Sequence, residues 1–127
     1  MVEVGKSIAR EITIDDGRVI NFMGPDLRVY ATPSILWDVE QACRELLKSM
    51  LPEELDSVGS QVVLDHLGAA PLGATVALSA TITSVENRKV VFSATVSFGG
   101  REIARVNHTR TIVVMEDLKA RIAKLKR

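Results

Sequence analysis

The chain has 127 residues, of which 46% are apolar, which suits one folded domain spanning residues 1–127 and argues against disorder. Lys plus Arg and Asp plus Glu balance at 16 each, so the electrostatic footprint of a general nucleic-acid binder is missing. A single cysteine, Cys43, excludes an internal disulfide and any Cys/His zinc spacing. No apolar run approaches the roughly 18 residues of a membrane span, and Met1–Lys6 lacks the charged-then-apolar layout of a signal peptide. The expectation is a soluble cytoplasmic protein without nucleic-acid or membrane partners.

In chain order, Ser7–Ile14 alternates loosely and predicts a first strand, closed by an Asp15-Asp16-Gly17 turn. Residues 18–31, with Gly24-Pro25-Asp26, read as a strand fragment or an irregular loop. Thr32-Pro33-Ser34 opens the clearest helix, with Thr32 as N-cap and Pro33 at the first helical position. At 100° per residue, Ile35, Leu36, Val39, Ala42, Cys43, Leu46, Leu47 and Met50 fill one apolar face. Trp37, Asp38, Gln41, Arg44 and Lys48 lie off that face, Glu40 lies on its border, and Leu51-Pro52 ends the helix.

Four strand-like runs follow: Ser60–Asp65, Ala74–Val85, Lys89–Phe98 and Arg101–Val114. Glu86-Asn87-Arg88 and Gly99-Gly100 are hairpin turns between the last three. Glu116–Arg127 predicts a C-terminal amphipathic helix, with Leu118, Ile122 and Leu125 on one side and basic residues on the other. The sum is an α+β plan in which an antiparallel sheet wraps one long central helix. Long strands without an outer cover favour a homodimer or higher homo-oligomer.

Two histidines make the search for a proton shuttle short. His66 ends the Val62-Val63-Leu64-Asp65 strand and opens the small-residue loop Leu67–Gly73, where Gly68 lets a ligand approach the backbone. Its bland alternative is a structural hydrogen bond at a strand edge. Glu40, half-sunk beside Leu36 and Leu47, would be desolvated and its pKa raised toward the catalytic range, or else it is an ordinary surface glutamate. Thr32 either caps its helix or offers a hydroxyl to a nearby base. Cys43 reads as a small buried hydrophobe and His108 as a structural mid-strand histidine. The Gly99-Gly100 pair belongs to no phosphate-loop motif.

The stretch Ala31-Thr32-Pro33-Ser34, Glu40-Gln41-Ala42-Cys43, Val58-Gly59 and Leu64-Asp65-His66-Leu67-Gly68-Ala69-Ala70-Pro71-Leu72-Gly73 resembles hot-dog-fold thioesterases of the fluoroacetyl-CoA thioesterase type. The likeness runs from about Val29 to Val114 and takes in His108-Thr109-Arg110 as the closing strand. It implies a hot-dog fold, no cofactor or metal, and an acyl-CoA substrate with a small or short-chain acyl group. It further implies that Thr32, Glu40 and His66 form the catalytic group and that Gly59 contributes near the oxyanion, where one backbone N–H is worth about 3 kcal/mol. Which of Thr32 and Glu40 attacks stays open. The segment Asn21–Tyr30 departs from the family's phenylalanine-rich lid, with Phe22 alone and Asp26 and Arg28 close to Thr32, so the fluoroacetyl substrate is not carried over. Two other readings stand beside hydrolysis: a non-catalytic acyl-CoA or small-ligand binding module, and a hot-dog dehydratase, which the Thr32 spacing fits less well.

Overall fold

The computed structural model describes residues 2–126. Five strands form one antiparallel sheet: β1 (Ser7–Thr13), β2 (Leu55–His66), β3 (Thr75–Glu86), β4 (Lys89–Phe98) and β5 (Arg101–Val114). Two helices, α1 (Thr32–Lys48) and α2 (Met115–Leu125), and a single 3-10 turn at Asp16–Arg18 complete the described elements. The sheet order is β1-β3-β4-β5-β2, so β1 and β2 are its edges.

The hairpins follow from their turns. Asn87 adopts φ 57° between β3 and β4, a conformation that asparagine tolerates better than most residues. Gly99 and Gly100, at φ 59° and 78°, turn β4 into β5. Alternation then decides the inner face. Val76, Leu78, Ala80 and Ile82 of β3 and Val90, Phe92, Ala94 and Val96 of β4 are all buried. They pack with Ile35, Val39, Ala42, Cys43 and Leu47 of α1, which lies on that face.

The α+β hot-dog plan is as expected, with one change of proportion. At 17 residues, α1 is about 25 Å long. The 14-residue β5 reaches about 47 Å. The helix is therefore short beside the strands that curl around it. It also ends before Leu51-Pro52, its last turn closing at Ser49. The first strand of the later run begins at Leu55, five residues ahead of the expected Ser60, because Leu55–Gly59 pair with Arg110–Val114. α2 leaves β5 almost directly and keeps Ile122 and Leu125 exposed, and no residue of it is buried. The expected end of that helix at Arg127 lies outside the described residues. No described helix is long and apolar enough to cross a membrane.

Candidate active site

Thr32 is the first residue of α1, and Ala31 holds the N-cap position without a side-chain cap. This corrects the expected capping role. The Thr32 hydroxyl is directed elsewhere: its Oγ1 lies 2.7 Å from Nδ1 of His66. Pro33 suits the first turn because it has no N–H to leave unsatisfied.

His66 is the last residue of β2, as its place after the Val62–Asp65 run predicts. Its loop is fastened by Leu67 N–H and Gly68 N–H, which both donate to the Ile103 carbonyl at 2.7 and 3.1 Å. The Gly68 amide is thus already engaged. A Cβ there would sit 3.2 Å from the Ile103 side chain, so this glycine serves packing of the loop onto β5. Both Thr32 and His66 are exposed, so the pair opens to solvent.

Glu40 stands apart from them. Eight residues along α1 correspond to about 12 Å of helix rise, and Glu40 has no hydrogen bond to Thr32 or His66. Its Oε2 lies 3.4 Å from Nη1 of Arg110. It lines a shallow pocket with Leu36, Gly59, Ser60, Gln61, Val62 and His108. A Cβ at Gly59 would collide with Glu40 Oε2 and stand 3.1 Å from His108 Cε1. Glycine is therefore what lets the carboxylate lie against the β2 backbone. Just beyond it the β2–β5 register slips between Gly59 and Gln61.

Beneath Glu40 runs a buried polar network that the sequence did not disclose. Arg110 is 4% exposed. Its Nε donates to Ser57 Oγ at 2.8 Å and its Nη2 to the Ser57 carbonyl at 2.9 Å. Its Nη1 lies 3.1 Å from His108 Nε2. His108 Nδ1 lies 3.0 Å from the Gln61 carbonyl, so Nδ1 carries the proton and Nε2 accepts from Arg110. Burial holds the His108 pKa below its ordinary value and outweighs the Gln61 bond, while the Arg110 charge adds to the lowering. Burial also lowers the Arg110 pKa, against the pull of Glu40. His108 is thus buried in mid-strand with both ring nitrogens engaged by the protein.

Cys43 is fully buried and its thiol is pushed up to about 12 by desolvation, so it is no nucleophile. Asp38 departs from expectation. Its helical angle lies off the apolar face, yet it is 6% exposed and pairs with Arg18 and Tyr30. Among the described residues no group of three or more His, Cys, Asp or Glu side chains converges as metal ligands would.

The sequence matches the family described as fluoroacetyl-CoA-specific thioesterase over residues 14–116. The fluoroacetyl-CoA thioesterase of Streptantibioticus cattleyicolor is 23% identical over 95% of this chain and 92% of its own. A Thermus thermophilus thioesterase superfamily member superposes with a TM-score of 0.91 at 24% identity, covering 99% of this chain and 94% of that one. A mutant of a fluoroacetyl-CoA thioesterase in complex with acetyl-CoA gives 0.88 at 22% identity, over 99% and 100%. The structural likenesses establish the hot-dog fold, and the match across most of the chain places it in the fluoroacetyl-CoA-specific thioesterase family.

Proposed function

We propose that the protein is a hydrolase of small or short-chain acyl-CoA thioesters, with Thr32, Glu40 and His66 as its working groups. Residues 1–127 act as one domain in a cytoplasmic setting. The observation that carries the reading is the 2.7 Å contact between Thr32 Oγ1 and His66 Nδ1. A hydroxyl bonded to an imidazole is the arrangement of an activated nucleophile. His66 takes the Thr32 proton as Oγ1 attacks the thioester carbonyl, and returns it to the departing CoA sulfur. Water, deprotonated in turn by His66, then releases the acid and restores Thr32.

Glu40 enters through a second copy of the chain. β2 is a free sheet edge with Val58, Val62 and Val63 exposed along it. Antiparallel pairing of two such edges about a two-fold at Val62 or Val63 sets His66 across from residues 58–60 of the other copy. The partner subunit's Gly59 and Glu40 then flank the Thr32–His66 pair and cover its open side. The position of Gly59 there supports its role beside the oxyanion. The homodimer is the unit that completes the site.

The test is an assay over acyl-CoAs of graded chain length with Glu40→Gln and His66→Ala. Each variant lowers turnover of the best substrate by at least about 100-fold. Wild-type rates in both would sink the assignment. Tight binding of CoA esters without hydrolysis of any would favour the binding-module reading.

A further inference from the structure

We infer that Asp38 is a positioning residue for the Thr32–His66 pair, acting through Tyr30 and Arg18. The inference rests on that pair being the seat of the thioester chemistry.

Asp38 points from α1 toward the segment that leads into the helix. Three donors converge on its carboxylate. Tyr30 O–H donates to Oδ2 at 2.5 Å, and Arg18 donates from Nε to Oδ2 and from Nη2 to Oδ1, each at 2.9 Å. Arg18 is itself steadied by Asp15, 2.8 Å from its Nη1. Tyr30 is fully buried. Burial, with the Asp38 bond second, pushes the Tyr30 hydroxyl well above its ordinary pKa, so it stays a donor.

The backbone explains why this cluster bears on the chemistry. Tyr30 N–H donates to the Ala70 carbonyl and Ala31 N–H to the Arg18 carbonyl, both at 2.8 Å. Bridges join Val19 to Tyr30 and Val29 to Pro71. Residues 29–31 are thus a splint between the chain around Arg18 and the loop that His66 opens. One end of the splint runs directly into Thr32. Asp38 fastens its side chain to α1, whose first turn has no side-chain cap to set its angle. The carboxylate therefore ties together the pieces that fix the Oγ1–Nδ1 distance.

With Asp38 buried and the Arg18 side chain 30% exposed, the pair is a modest source of net stability, since desolvation of the carboxylate offsets part of the attraction. What it gives is a single geometry. A misplacement of 1 Å between reacting groups can cost ~100-fold in rate.

The experiment compares Asp38→Asn and Tyr30→Phe with the unmutated protein, and uses Thr32→Val to mark loss of the Thr32–His66 hydrogen bond. The readouts are the ring-nitrogen NMR resonances of His66, kcat and KM. Both variants should move the His66 resonance toward its Thr32→Val value and lower kcat about tenfold or more, with KM little changed. Tyr30→Phe deletes one hydroxyl and keeps the buried ring, so it decides the matter if Asp38→Asn does not fold. A wild-type His66 resonance, or an unchanged kcat, in the folded variants overturns the inference even if they melt earlier. No hydrolysis by the unmutated protein would overturn the proposed function instead, and the His66 resonance would still decide the role of Asp38.

Discussion

A Cβ at position 59 has no room while Glu40 keeps its place. Gly59 does not sit at positive φ, so alanine suits the backbone there; the nearest obstacle is the far end of a flexible side chain, and the His108 ring at 3.1 Å has to give by only a few tenths of an ångström. The Glu40 side chain is 31% exposed and can swing toward solvent. Gly59→Ala should therefore cost little stability, within about 1 kcal/mol, and remove Glu40 from its seat beside the β2 backbone. Turnover should fall about 100-fold, with the melting curve nearly unchanged. Wild-type turnover in a folded Gly59→Ala protein would show that the placement of Glu40 does not matter. Residues of this kind were partly legible in the sequence. The family likeness is what selects Thr32, Glu40 and His66 as the proposed groups, and the end of the Val62–Asp65 run located His66 at the end of β2. Asp38 was missed because its helical angle put it off the apolar stripe. Its burial depends on Arg18 and Tyr30 reaching it from another segment, which periodicity does not encode.

The β2–β5 pair is held by more than its ladder. Arg110 and His108 on β5 reach Ser57 and Gln61 on β2 across the register slip, and this network is built around a neutral His108. The folded chain resists protonating that imidazole because burial lowers its pKa, whereas the unfolded chain takes up the proton near pH ~6.5. Below that value the unfolded state binds the extra proton, so stability falls as the pH drops from ~6.5 toward the folded-state pKa and is intact above it. Urea midpoints measured from about pH 8 down to about pH 5 should decline, and His108→Asn should flatten the decline in that window. An equal slope in the variant would mean that other groups carry it. At this scale the elements themselves were readable. β4 and β5 have the expected bounds, because hairpin turns and alternation are local signals. The extension of β2 to Leu55 was not, since pairing of Leu55–Gly59 with β5 is set by the register of a partner strand. Amphipathic spacing likewise located α2 but could not tell that its apolar side would stay uncovered in one chain.

The two sheet edges are unlike. β1 is seven residues long and carries Arg10 and Glu11, charges of the sort that discourage edge pairing. β2 is twelve residues long and presents Val58, Val62 and Val63, with Val63 56% exposed. An open backbone ladder lined with valines is suited to continuation by a second copy. The proposed catalytic group requires the same contact, because in one chain His66 bonds Thr32 while Glu40 lies about 12 Å along the helix. Association and activity should therefore fail together. A lysine at whichever of Val62 and Val63 lies on the two-fold puts two cations face to face, so one of Val62→Lys and Val63→Lys should sediment as a monomer where the unmutated chain sediments as a dimer or larger assembly. Turnover should drop by about 100-fold or more, the size of a lost acid–base partner, while circular dichroism keeps the mixed helix and strand signature of the folded chain. A monomeric unmutated protein with full thioesterase activity would refute the shared site and return Glu40 to a purely local role beside Arg110.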